Sequence, residues 1–280
     1  MHIGIFSKTF PRQTLGETLD MVFDHGLRHI QFDLSCAGVS SMPERIDPTL
    51  VASIRRELDA RQMTIAAVSG TYNMIHPDLE QRHAGLSRLR ELASACHGLG
   101  ASIITLSTGT RDPENMWRGH PHNHSPEAWD DLVNAMGEAV TIAEASDIVL
   151  AFEPEVNNVV DSAKKARRLL DTIQSPHLKV LIDAANLFHA GELPRMEAIL
   201  EEAFALLSDD IVVAHAKDLR QDGDAGHEAA GTGLLDYDLY VKLLRKSGFA
   251  GSLILHSLAE RQASTAIAFL RARIKLADTA

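Results

Sequence analysis

Cysteine is scarce in this chain: Cys36 and Cys96 are the only two among 280 residues, far apart and with no recurring spacing. A disulfide framework is therefore not expected, and a reducing, cytoplasmic setting is the default. The opening MHIGIF reads as a strand rather than as a basic, apolar, small-residue export signal. Positive charge is also short. Lys and Arg number 27 against 38 Asp and Glu, a formal net charge of −11, which argues against the basic footprint of a nucleic-acid binder. No apolar run reaches the ~18 residues of a membrane span. Three motifs are missing as well: a G-x-G-x-x-G after the first strand, a G-x-S-x-G, and an H-x-E beside a C-x-x-C. Their absence removes the fingerprints of a dinucleotide fold, a serine hydrolase and a zinc deaminase.

What is present is a regular alternation. Eight strand-like runs cover 2–6, 29–34, 64–69, 102–107, 148–153, 178–183, 211–215 and 251–256, each followed by a helix-like pattern. Helix signals punctuate them: Asp47-Pro48 and Ser125-Pro126 open helices, while Gly26 and Gly100 close them. Later helices are expected over 160–173, 195–207, 237–246 and 261–275. Strand and helix in alternation call for a parallel sheet, and eight units without a linker favour closure. The expectation is one α/β domain over residues 1–280, a single (β/α)8 TIM barrel, a fold of about 250 residues. Connections after strands are long and polar (35–45, 70–78, 108–124 and 216–236), whereas those returning to strands are short. The functional face of such a barrel is the carboxyl end of its strands.

Four strand ends stand out there. The apolar run at 148–152 stops at Glu153, and three later runs stop at Asp183, His215 and His256. Polar residues end strands for the simple reason that the core ends, so any one of these is weak evidence. Four in succession are a candidate ligand set of two carboxylates and two imidazoles for one divalent ion. That mixed shell suits Mn, Co, Zn, Fe or Ni better than Mg. Glu155 lies two residues beyond Glu153, either supporting the site or contacting a substrate or simply solvated; Asn186, after Asp183, either bonds a substrate hydroxyl or caps a turn; and Lys217, after His215, is an electrostatic candidate. His120, His122 and His124 form an H-x-H-x-H run in the long loop after the fourth strand, either a separate metal tract or part of a lid with Trp117 and Arg118.

These strand ends, together with F-E-P-E at 152–155, L-I-D-A-A-N at 181–186, A-H-A-K-D at 214–218, A-G-T-G-L-L-D at 230–236 and L-I-L-H-S-L-A-E at 253–260, resemble the xylose isomerase-like TIM-barrel superfamily over essentially the whole chain. The resemblance implies a metal-dependent isomerase or epimerase acting on a small sugar, ketose or sugar phosphate through an enediolate. It implies Glu153 as ligand and general base and a small-molecule sugar as the partner, with a homo-oligomer compatible; Trp117, Arg118, His120, Asn186 and Lys217 are the candidate substrate contacts by their places on the active face, Asn186 standing where many sugar epimerases have a substrate-binding histidine. The sequence departs from the family at His256, where a glutamate is usual, which leaves the second base to be found; Glu260 is the candidate, as base or as the acceptor for His256. A dehydratase or other lyase is the alternative, followed by an endonuclease IV-like nuclease and a non-catalytic sugar- or metal-binding barrel.

Overall fold

The computed structural model describes residues 1–277. Its strands are β1 (His2–Phe6), β2 (His29–Phe32), β3 (Thr64–Ser69), β4 (Ile103–Ser107), β5 (Val149–Glu153), β6 (Leu178–Asp183), β7 (Ile211–Asp218), the two-residue β8 (Glu228–Ala229) and β9 (Ser252–Leu255). All but β8 run parallel in chain order. The ring closes because β1 pairs with both β2 and β9, while β6 pairs with β7. Helices α1 (Leu15–Asp24), α2 (Pro48–Ala60), α3 (Leu79–Leu99), α4 (Pro126–Ala145), α5 (Ala163–Ile173), α6 (Met196–Leu207), α7 (Tyr237–Lys246) and α8 (Ala263–Ala277) surround it. This is the (β/α)8 barrel expected from the alternation. Among the described residues no helix is long and apolar enough to cross a membrane.

Local chemistry sets the helix boundaries. Thr14 and Glu17 form a reciprocal capping box at α1, and the side chains of Asp47 and Ser125 cap α2 and α4 ahead of a proline in the first turn. Gly100 ends α3 in the left-handed region, a conformation glycine adopts without a Cβ clash. Where strand bounds differ from expectation, a side chain or a pairing explains it. β2 stops at Phe32 because the Asp33 carboxylate accepts from Ser35 N–H and turns the chain into a short 3-10 segment. β7 runs on past His215 to Asp218 because β8 folds back onto Lys217 and Asp218. α5 starts at Ala163, where the Ser162 hydroxyl caps it, and α8 starts at Ala263 after a single 3-10 turn.

Two apolar layers hold the barrel. The larger lies between strands and helices. The smaller fills the barrel itself with Ala67, Ala151, Leu181, Val213 and Ile254, all essentially inaccessible. Burying a Leu, Val or Ile side chain is worth roughly 1.5–3 kcal/mol each, so this plug stabilises the ring that carries the site. Gly4 is required beside it, since a Cβ there would come within 2.5 Å of Ile254 Cδ1 and 2.8 Å of the His29 carbonyl. Strand side chains alternate with period two, so the residues two positions further along point into the barrel one layer higher. From Ala67, Ala151, Leu181, Val213 and Ile254 that step leads to Ser69, Glu153, Asp183, His215 and His256. The apolar plug thus forms the floor, and the polar strand ends stand directly above it.

Candidate functional site

Glu153, Asp183 and His215 each present one donor atom such that the three lie within 4.8 Å of one another. His215 Nδ1 is 3.5 Å from Asp183 Oδ2 and 3.8 Å from Glu153 Oε1. Asp183 and His215 are directly paired in the β6–β7 ladder, which brings their side chains to adjacent positions. Asp183 is fully buried, and His215 nearly so.

Each donor is aimed by a second residue. His215 Nε2 lies 2.7 Å from Gln31 Oε1, and the Gln31 amide nitrogen donates to Thr105 Oγ1 at 3.3 Å, which orients its oxygen towards the histidine. An amide oxygen only accepts, so the Nε2 proton is fixed and Nδ1 is the ring atom left for the site. Asn186 Nδ2 donates to Glu153 Oε1 at 2.6 Å, while its own Oδ1 accepts from Gly226 N–H at 3.0 Å. Asp183 Oδ1 accepts from the Ala185 N–H at 3.0 Å. Beneath them Tyr240 OH donates to the carbonyl of His215 at 3.0 Å, and Tyr237 OH to that of Lys217 at 2.9 Å, pinning the end of β7.

After these bonds are made, Asp183 Oδ2 and His215 Nδ1 remain buried with no hydrogen-bond partner among the described residues. Asp183 Oδ2 has ion-pair contacts at 3.4 Å to Lys217 Nζ and 3.5 Å to His215 Nδ1, and a cation set beside both atoms would give each a direct partner. One imidazole nitrogen and two carboxylate oxygens, with the imidazole's other N–H held by a neighbour, suit a borderline divalent ion. The residues present fit such an ion.

The surroundings are strongly charged. Burial disfavours a charged Lys217, yet Asp183, with its carboxylate 3.4 Å from the ammonium, Glu153 and Glu155 outweigh it and raise the lysine above its ordinary value. Burial likewise opposes the His215 imidazolium, but the two carboxylates facing it raise the group to about 9 in the metal-free protein. Glu155 moves up, mainly through burial and secondarily through the charge of Glu153. Glu155 Oε1 also lacks a hydrogen-bond partner among the described residues. A cavity of about 930 Å³ opens above this floor, with Glu153, Glu155, His215, Lys217 and Gln31 below and Trp117, Arg118 and Asn157 at the rim.

The remaining sequence candidates are distributed as follows. His256 lines the cavity but is not a member of the three-donor group. Its ring stacks on that of His215, with centroids 4.8 Å apart and planes inclined by 10°. Imidazole lone pairs lie in the ring plane, so two stacked parallel rings do not aim at one point. Glu260 is away from the site: both its oxygens accept from Arg12, at 2.6 and 2.9 Å, and the His256 Nδ1 partner is Ser257 Oγ at 2.8 Å. Glu260 therefore neither faces the cavity nor supports His256. Asn186 is fully buried under Glu153 and is not among the cavity residues, so its amide meets the Glu153 carboxylate and not the cavity.

Trp117 is 51% exposed at the rim. Arg118 is there too, but its guanidinium is occupied by both oxygens of Asp112, at 2.5 and 2.9 Å, and by Glu114 at 3.2 Å. His120 faces a separate surface pocket with His122, and caps the 3-10 turn at Pro121–His124 instead of reaching the cavity. His124 stands beside Asp161, so the H-x-H-x-H run does not converge on one ion. Gln31, Tyr237 and Tyr240 escaped sequence reasoning. The one available signal was a glutamine interrupting the apolar HIQF strand.

A family model described as a xylose isomerase-like TIM barrel matches residues 19–273. Among solved structures, the fold is similar to a D-tagatose 3-epimerase-like protein at TM-score 0.79 and 15% identity, covering 100% of this chain and 99% of that one. A xylose isomerase domain protein from Planctomyces limnophilus aligns at TM-score 0.76 and 17% identity, covering 99% and 98% of the two chains. The IOLI protein with a binding zinc atom aligns at TM-score 0.75 and 15% identity, with 99% of each chain covered. No curated protein sequence matches the chain.

Proposed function

Since the chain belongs to the xylose isomerase-like TIM-barrel family, we propose that it is a metal-dependent isomerase or epimerase of a small sugar. The observation that carries this reading is the pair of orphaned buried atoms, Asp183 Oδ2 and His215 Nδ1, set beside Glu153 at the floor of a polar cavity. Glu153, Asp183 and His215 would hold the ion. When bound, a divalent cation supplies a Lewis-acidic charge that polarises a carbonyl and acidifies the neighbouring C–H.

The chain's own groups supply the rest. Glu153 is held in one orientation by Asn186 and is the carboxylate best set to take a proton from a carbon above the floor. Glu155, with its unpartnered Oε1 in the same cavity, is the group to return one. Lys217 contributes a buried ammonium as a hydrogen-bond donor to a substrate oxygen. Gln31, Thr105 and Ser107 offer polar partners along the wall for hydroxyl groups, and Trp117 an apolar face at the rim.

The test is proton exchange. The protein loaded with Mn, Co or Zn is incubated with a panel of free and phosphorylated ketoses, keto-glycosides and inososes in deuterated water, followed by NMR. Deuterium entering α to the carbonyl, abolished in Glu153→Gln, supports the reading. No exchange with any member of the panel overturns it, and loss of water from a substrate redirects it to a dehydratase.

A further inference from the structure

The His256 ring lies between two others, stacked on His215 and tilted against Phe6 at 5.1 Å between centroids. Its backbone N–H bonds the Ala216 carbonyl at 3.3 Å, tying it to β7. The next residue, Ser257, sits at φ +52°, in the left-handed region that a non-glycine residue seldom occupies, and both residues line the cavity. Backbone strain of this kind concentrates where a side chain must be held in one place. Here it brings Ser257 Oγ to 2.8 Å from His256 Nδ1. Among the described residues the hydroxyl has no other acceptor, and nothing hydrogen-bonds His256 Nε2.

We infer that His256 is a substrate-facing hydrogen-bond donor rather than a fourth metal ligand, and that Ser257 is the positioning residue that sets its tautomer. In this assignment the hydroxyl, with no other acceptor among the described residues, is the donor to Nδ1, which puts the ring proton on Nε2 and presents it to the cavity. The group recognised there is then an acceptor, a keto or ether oxygen of the sugar. This rests on the proposed sugar chemistry for the ligand's identity only. The tautomer and the distance from the ion are testable without any substrate.

Protein labelled with 15N-histidine is compared before and after one equivalent of cadmium-113. His256 should show a neutral ring with its proton on Nε2 in both states, whereas His215 Nδ1 should couple to cadmium. Ser257→Gly suits the left-handed backbone and removes the side chain with its hydroxyl. It should mix the two His256 tautomers while changing cadmium affinity by less than about twofold, and should raise KM about tenfold on any keto-sugar the parent accepts, the loss of roughly one hydrogen bond. Cadmium coupling at His256, or an unaltered tautomer in Ser257→Gly, overturns the inference. Failure of the parent to act on any keto-sugar, with the spectra as expected, would sink the functional reading and leave the assignment of His256 as a non-ligand donor intact.

Discussion

His215 gives its Nε2–H to Gln31 Oε1 at 2.7 Å, from β7 to β2, and by that bond turns Nδ1 to Asp183 and Glu153. The pairing joins residues 184 positions apart in the chain. Gln31→Leu removes the acceptor without opening a large void. It should weaken binding of Mn, Co or Zn about 10–100-fold, the usual consequence of losing the partner of a ligating histidine. Isothermal titration of parent and variant with one metal measures it; equal affinities would show that the ring is aimed by packing alone.

Asn186 bridges Glu153 and the Gly226 N–H from full burial. Asn186→Ala leaves a buried N–H unpaired and a carboxylate unsupported, so unfolding in urea should become easier by roughly 2–3 kcal/mol. Turnover should fall more than KM rises if Glu153 is the proposed general base, because that carboxylate loses its orientation. A variant as stable as the parent would mean that water replaces the amide in full.

The orphaned Asp183 Oδ2 and His215 Nδ1 predict a metal-linked stability. An ion that binds only the folded chain adds about 2.7 kcal/mol at a concentration 100 times its dissociation constant. The parent should therefore melt several degrees higher when metal is added, and Asp183→Asn should show no metal-dependent change in Tm. A variant that responds as strongly as the parent would place the ion elsewhere.

Asp112 lies well below the ordinary carboxylate range, first through its bond with Arg118 and then through the N–H groups of Glu114 and Asn115. A depressed folded value means that the stabilisation is complete above the unfolded value of about 3.9 and is lost as pH falls through that point towards the folded one. The loop carrying Trp117 should accordingly hold its structure down to about pH 4 and loosen below it. Trp117 fluorescence reports this. In Asp112→Asn the acid transition of that signal should be absent, and an identical transition would assign it to another group.

Trp117 stands exposed at the rim, with its carbonyl accepting from Asn157 Nδ2 at 3.2 Å, and Asn157 also bonds Asp224 at 2.6 Å. The loops after β4 and β7 thus share one side chain. Trp117→Ala should raise KM about tenfold with metal content unchanged, a loss near the 1.5–3 kcal/mol of a large apolar contact. Unaltered kinetics would put the rim outside the reaction.

Much of the barrel and part of its centre were legible in the linear chain. Eight apolar runs at one strand-plus-helix spacing dictate a parallel closed sheet, and each run marks its own upper end by the residue at which it stops being apolar. Glu153, Asp183 and His215 declared themselves in that way because burial and chemistry change at the same residue. Most of what aims these three was silent. Gln31 reaches His215 across the ring and Tyr240 from an outer helix, and no local pattern encodes a contact between side chains so far apart in sequence. Asn186 was visible three residues after Asp183, but its bond to Glu153 was not. His256 and Glu260 show the other limit. Both obey the strand-end and one-turn spacing rules, yet a ring stacked on His215 and a carboxylate taken by Arg12 are outcomes of packing. Sequence periodicity determined which side chains enter the barrel and at what height. Their orientation there, and therefore which of them can meet an ion, was decided only when the closed ring brought each one its neighbours, because hydrogen-bond direction and ring stacking depend on distances of a few ångströms that exist only in the fold.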